Sequence, residues 1–481
     1  MIDVAIVGAG VSGASIARTL SAYRVSVALL EREVDVSFGV SKANSGIVHA
    51  GFHHAPGSLK ARLEVRGNLL FDSLKAELGF PFSRCGIIVA AFSYEEMQTV
   101  AELYTRGVAN GVPRLEVAGR ERLLALEPKL SGDVVGGLYA PTGGIVEPYR
   151  YVFALVEWAV ANGVELHTSW DVVRGERRGD RWVLTARAGD TLEARWVVNA
   201  AGLRADEVSR ACGAGAFRLA ARKGEEYILE RGAAGCPTHV IFPVPARSSK
   251  GVLVIPTVEG TTMIGPTAEE VEDKDDVATT PENLDRILEL AGRMVPSVAR
   301  RDIITSFAGL RPVLPGDDFL IAPAAAVPGF IQVAGIQSPG LTASPAIGEY
   351  VKDLLKQDGL ELTEKVRTCG IGRPERLREH APDEREALVA RDPAYGHVVC
   401  RCESVSEAEV VEAIRKGHST LDGIKYYTRA GMGRCQGGFC TYRILRIISR
   451  ETGLPLECVT KRGGASRLLA GPIGGGAVCA P

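Results

Sequence analysis

Four cysteines near the C-terminus have the type and spacing to hold a metal cluster. Cys400-Arg401-Cys402 is followed, after 32 residues, by Cys435 and Cys440 with four residues between them. Four thiolates supply the full ligand set of a [2Fe–2S] cluster, and the glycines at 431, 433, 437 and 438 let backbone amides turn toward the sulfurs. Cys440 falls where a helix is predicted to begin, so the helix dipole would favour the cluster's negative charge. Zinc is the main rival, although structural zinc sites usually present a CxxC knuckle and CxC places its two ligands differently. Four unrelated core cysteines are the plainer alternative. Cys85, Cys212, Cys236, Cys369, Cys458 and Cys479 lack partners at ligand spacing, and the first three read as small buried hydrophobes.

The second constellation lies at the other end of the chain. An apolar run over residues 2–7 leads into Gly8-Ala9-Gly10-Val11-Ser12-Gly13 and then a stretch with Ile16, Ala17 and Leu20 on one helical face. That order is strand, tight turn, helix. Gly8 supplies turn freedom, Gly10 allows close approach of a pyrophosphate, and Gly13 lets helix pack on strand. The helix N-terminus then offers N–H groups to the phosphates. A second strand over 25–30 ends in Glu31, about 20 residues on, where a carboxylate can accept from a ribose hydroxyl and disfavours a 2′-phosphate. The glycines at 474–476 follow no strand, so one dinucleotide is expected and not two.

These sites require a scaffold of several domains. A chain of 481 residues exceeds the roughly 250 to 300 residues at which single cores stop growing. Its 46% hydrophobic and 24% charged content is that of ordinary soluble globular proteins. Lys plus Arg, 56, nearly balances Asp plus Glu, 58, so no global field recommends nucleic acid or an anionic membrane. No apolar run reaches the roughly 18 residues of a membrane span. The scattered cysteines point to a reducing cytoplasmic setting, with peripheral placement at the inner face of a membrane through a partner as the further option.

The segment Ser41-Lys42-Ala43-Asn44-Ser45-Gly46-Ile47-Val48-His49-Ala50-Gly51 resembles the flavin-dependent oxidoreductases of the D-amino-acid oxidase type, and among them the glycerol-3-phosphate dehydrogenases and L-2-hydroxyglutarate oxidases. Val197-Val198-Asn199-Ala200-Ala201-Gly202, Ala308-Gly309-Leu310-Arg311-Pro312 and Gly335-Ile336-Gln337-Ser338-Pro339-Gly340-Leu341-Thr342 match as well, so the resemblance covers roughly residues 1 to 355. It implies FAD, with Ser41, Asn44, Ser45 and Gly46 near the flavin, Val173 and Gly202 against the cofactor, and Gly335 and Gly340 to Thr342 closing over it. Residues 398 to 455 resemble the bacterioferritin-associated-ferredoxin-like domain fused to the large subunit of anaerobic glycerol-3-phosphate dehydrogenases.

The fold implied is α/β. A Rossmann-type FAD-binding domain (1–85, 145–215, 306–360) is interrupted by an antiparallel-sheet substrate domain (86–144, 216–305). A solvated linker (361–396), a small helical [2Fe–2S] domain (397–457) and a glycine-rich tail (458–481) follow. Ser404 and Glu407 are expected to form a capping box at the start of a helix in the cluster domain.

A flavin enzyme that oxidises an alcohol must hold the substrate anion, take the hydroxyl proton and present the C–H to the flavin. Arg311 fits the first task, since a guanidinium grips phosphate or carboxylate in two places, and the resemblance implies that it faces the substrate. A structural salt bridge is its alternative. His49 is the candidate base, with His53 and His54 behind it; packing beside the flavin without titrating is equally open. Tyr227 and Lys250 would add a hydrogen bond and a positive charge, or stand as surface groups.

The reading is therefore an FAD- and [2Fe–2S]-dependent dehydrogenase of the glycerol-3-phosphate type. Electrons would leave through the cluster to a protein subunit or quinone-linked partner, in what could be a hetero-oligomer. The glycerol-3-phosphate dehydrogenases carry a phosphate-serving lysine where 335–340 has none, which brings in L-2-hydroxyglutarate or another 2-hydroxy acid or amino acid as the alternative substrate. A noncatalytic electron-transfer subunit is the alternative of another class.

Overall fold

Strands buried on both faces read as continuous apolar runs, and the N-terminal strand does so because Ala5 and Val7 pack with Trp182, Leu184 and Val208 on one face while Ile6 meets the following helix near Gly13 on the other. This strand, β1 (Ile2–Val7), runs parallel to the Thr191–Asn199 strand on one side and to β2 (Val27–Leu30) on the other. The Glu165–His167 strand extends the sheet beyond β2, and the Phe330–Ala334 strand pairs in parallel with the far end of Thr191–Asn199. The helix α1 (Val11–Leu20) leaves β1 through the glycine turn. The structure, a computed structural model, describes residues 1–245 and 251–471. Contacts divide the chain into one unit of residues 1–32 and 36–371, and a second of residues 33–35 with those from 372 onward.

Within the first unit a nine-stranded sheet, mostly antiparallel, forms the second layer system. Its strands alternate sides with period two. Ile88, Ala90, Ile241, Val254 and Ile264 face the Pro281–Met294 helix through Ile287 and Ala291, whereas Ile87, Val89, Phe242, Ile255 and Met263 line the opposite core. The Ile303–Val313 strand pairs along almost its whole length with Ala220–Leu229. Residues 306–313, expected in the flavin domain, therefore belong to this nine-stranded sheet. What the family motif marks there is a close approach: a Cβ on Gly309 would lie 2.7 Å from the carbonyl of Ala43.

The expected linker over 361–396 is not one. Residues 361–371 stay with the first unit, where Arg24 donates to Thr363 and Asn162 binds Cys369. Residues 372–396 fold into the second unit, because Leu377, Leu388 and Tyr395 are spaced to bury one side against Ala408. The capping box also lies two residues later than expected. Ser404 occupies a left-handed turn at φ 51°, and Ser406 with Glu409 caps the Glu407–Arg415 helix. Of the expected glycine-rich tail, residues 458–471 are pinned by the Thr460–Arg467 bridge and by amides of Leu421 and Asp422 donating to Thr460 and Lys461. Gly474 to Gly476 lie outside the described residues. No helix among the described residues is long and apolar enough to cross a membrane.

Candidate active site and cluster site

The glycine turn leaves no room for side chains. Gly8 has φ +102°, and a Cβ there would lie 2.6 Å from the Ala200 carbonyl; one on Gly13 would lie 1.9 Å from the Gly8 carbonyl. Gly10 is the N-cap of α1, and the Val11 amide donates to Ser41 Oγ at 2.9 Å. Glu31 is buried, and its Oε2 accepts from the Ala9 amide at 2.8 Å. One carboxylate oxygen thus ties the end of β2 to the cradle. Val173 sits at a register shift of the Val172–Arg178 strand with its side chain exposed. Gly202, at φ +56°, follows the Asn199-Ala200-Ala201 strand end that touches the cradle. A helix N-terminus set at so closely packed a glycine turn suits a pyrophosphate.

The segment after Ser41 is shaped for close approach as well. Asn44 Oδ1 accepts from the Gly46 amide at 2.8 Å, and Gly46, at φ +70°, lies so near Val146 that a Cβ would meet its carbonyl at 2.3 Å. Two distant segments then converge. The His49 amide donates to Thr342 Oγ1 at 2.9 Å, and His49 Nε2 lies 3.2 Å from Ser338 Oγ. Gly340 opens the Gly340–Gln357 helix, with Leu341 and Thr342 buried behind it, and Gly335 turns at φ +69°. His53 and His54 follow on the same segment, their carbonyls held by Arg106 and Asn110.

Arg311 is half-buried, and its Nη2 donates to the Thr267 carbonyl at 3.3 Å. Burial lowers its pKa and Glu226 counters this; an arginine remains a cation there. Gly224 on the neighbouring strand makes its space, since a Cβ would lie 2.6 Å from Arg311 Nη2. The expectation for Tyr227 is corrected: its side chain lies in the core under the Pro281–Met294 helix, the face shared with Glu225. Successive strand residues point to opposite faces, so the residue toward Arg311 is Glu226. Lys250 lies outside the described residues. The sequence signal for Glu226 was present, a carboxylate inside an otherwise buried strand, but strand phase decides between Glu225 and Glu226 and that is set by sheet pairing.

In the second unit the four cysteines meet as two pairs. Cys402 and Cys435 lie 3.7 Å apart, and the Cys440 thiol hydrogen-bonds Cys400, drawing the Cys400 thiol well below its usual range. Amides of Gly431 and Glu403 also face Cys400, and those of Phe439 and Gly437 face Cys435. Among the described residues no group of three or more His, Cys, Asp or Glu converges on a single ion. Two pairs suit a cluster whose two irons each take two thiolates, fed by inward amides. Cys440 is the N-cap of the Thr441–Thr452 helix, as its sequence position suggested.

The FAD dependent oxidoreductase family matches residues 3–354. The chain belongs to this family. A BFD-like [2Fe-2S] binding domain matches residues 398–450. A glycerol 3-phosphate dehydrogenase of Caloramator mitchellensis is 44% identical over 98% of this chain and 99% of its own length. A glycerol 3-phosphate oxidase of Mycoplasma genitalium is 31% identical over 76% of this chain and 96% of its own. Among solved structures, dithionite-reduced L-alpha-glycerophosphate oxidase from Mycoplasma pneumoniae with FAD bound aligns at TM-score 0.73 and 30% identity, covering 76% of this chain and 97% of that one. The chain is thus a flavoenzyme whose cofactors are FAD and a [2Fe–2S] cluster.

Glycines crowd both the turn after the first strand and the segment around the four cysteines. At the cluster the tightest glycine is Gly433, where a Cβ would lie 2.2 Å from Cys402 Cβ. Gly433→Ala should therefore displace a ligand-bearing turn and abolish the cluster while the flavin remains. Iron per protein near zero with an unchanged flavin spectrum is the expected result; full iron content would refute it.

Proposed function

We propose that the chain oxidises glycerol 3-phosphate to dihydroxyacetone phosphate and passes the electrons through its cluster to an electron-accepting protein or quinone-linked partner. The observation that carries this reading is the 44% identity, over nearly the whole of both chains, to a glycerol 3-phosphate dehydrogenase. When bound, FAD supplies the hydride acceptor and the cluster a one-electron relay. Arg311 binds the substrate phosphate by charge-assisted hydrogen bonds. His49, whose Nε2 faces Ser338 Oγ, takes the hydroxyl proton. Thr342 fixes the His49 backbone so that the ring keeps its place.

The second reading, a 2-hydroxy-acid substrate, draws on L-2-hydroxyglutarate dehydrogenases such as that of Escherichia coli K12, 30% identical over 56% of this chain. A noncatalytic carrier has no use for a recessed guanidinium beside the flavin-binding turn. Anaerobic mixing with glycerol 3-phosphate, L-2-hydroxyglutarate, lactate and proline separates all three. The expected result is bleaching of the flavin by glycerol 3-phosphate. Bleaching by another of these compounds, with glycerol 3-phosphate inert, overturns the proposal, as does no bleaching at all.

A further inference from the structure

A carboxylate in an apolar strand core is costly unless something pairs with it. Glu226 lies in the Ala220–Leu229 strand opposite Phe307 and is 3% exposed. Its Oε1 accepts from Ser45 Oγ at 2.7 Å, which binds it to the turn that precedes His49. Its Oε2 is sealed from solvent and has no hydrogen-bond partner among the described residues. Gly265 gives it room, since a Cβ there would lie 2.9 Å from Glu226 Cγ.

We propose that Glu226 is a specificity-determining residue of the substrate site, its carboxyl group receiving the non-reacting hydroxyl of a polyol phosphate whose anionic end Arg311 holds. The inference rests on the proposed glycerol 3-phosphate reading and deepens it. Arg311 acts on Glu226 electrostatically, and Ser45 is its hydrogen-bonding neighbour. Burial pushes the carboxyl up to about 7, against both of those influences. A group that titrates near neutrality can accept from a hydroxyl when ionised and donate to it when protonated, so it serves a hydroxyl in either state. A second substrate carboxylate in the same place would meet like charge and lose solvation. Such a pocket favours one anion plus a hydroxyl over a 2-hydroxy diacid. Ser45 is a positioning residue in this arrangement, acting through the carboxyl it holds.

The test uses the full holoenzyme with an artificial electron acceptor and two substrates, glycerol 3-phosphate and propane-1,2-diol 1-phosphate, which lacks only the terminal hydroxyl. A site built to hydrogen-bond a hydroxyl rejects the analogue without it by factors on the order of 10⁴. We expect the wild type to prefer glycerol 3-phosphate by at least about 100-fold in kcat/KM, and Glu226→Ala to reduce that preference to under about 10-fold. Glu226→Gln, near in shape, should retain an intermediate preference and confirms that FAD is still bound. Calorimetric binding of dihydroxyacetone phosphate against hydroxyacetone phosphate should show the same collapse without turnover. Equal losses on both substrates would assign Glu226 a merely structural role and overturn the proposal, as would a wild type that does not discriminate. Failure of glycerol 3-phosphate to reduce the wild-type flavin at any concentration would instead strike the underlying reading.

Discussion

Replacing Gly13 with alanine is expected to leave a folded chain that no longer retains FAD. The added methyl would sit 1.9 Å from the Gly8 carbonyl, far inside contact distance, and the atom it meets is backbone. Relief requires α1 to move off β1 or the Gly8 turn to reopen, and Gly8 is itself wedged against Ala200 at φ +102°. Either shift takes the helix N-terminus away from the phosphates it should hold. Overpacking of this kind costs about 1 to 3 kcal/mol in stability. Loss of the aligned amides adds a weakening of FAD binding of about 100-fold or more, since each 1.4 kcal/mol is a factor of ten. Flavin per protein after purification, and titration of apoprotein with FAD, measure it. Gly292→Ala is the control, for that glycine lies in the Pro281–Met294 helix with nothing near its would-be Cβ. Stoichiometric flavin in the Gly13 variant would refute the account.

The cradle was legible because its chemistry is local. Strand, glycines, helix and Glu31 lie within one βαβ unit, and each glycine's task follows from backbone sterics alone. The meeting of Cys400, Cys402, Cys435 and Cys440 was legible for the same reason, since their spacing within two short segments already grouped them. Glu31 shows the limit: its position was readable, but its bond to the Ala9 amide depends on how β2 lies beside β1. Tyr227 shows a different limit. Moving one residue along a strand exchanges its two faces, and the register that settles the phase comes from pairing with a strand 80 residues away, at Ile303–Val313. The convergence of His49 with Ser338 and Thr342 is likewise long-range, and only the family resemblance drew those segments together beforehand. The 372–396 region misled because arginine, glutamate and proline outnumber its apolar residues. Three of the few apolar ones, Leu377, Leu388 and Tyr395, suffice to bury one side against a neighbouring helix.

Arg311→Ala should reduce kcat/KM for glycerol 3-phosphate by about 30-fold to several thousand-fold, corresponding to the 2 to 5 kcal/mol typical of truncating one member of a buried hydrogen-bonded charge pair. The reasoning starts from its surroundings. Among the described residues the Thr267 carbonyl is the one acceptor for its Nη2, which leaves most of the guanidinium's five donors for a ligand, and Gly224 is the residue whose missing side chain makes that placement possible. Gly224→Ala should therefore reproduce part of the loss by pushing the guanidinium aside. Arg311→Lys keeps the charge but not the fork, and should recover charge attraction without two-point geometry. The charge-specific readout is the preference for glycerol 3-phosphate over glycerol, which Arg311→Ala should diminish by the same factor because glycerol never engages the cation. Iron content and flavin content should stay at wild-type values, since neither the cradle nor the cysteine pairs involve Arg311. Steady-state kinetics of the three variants on both compounds decide the matter. An Arg311→Ala enzyme that still distinguishes the phosphate from the neutral polyol as the wild type does would place the anion on some other group.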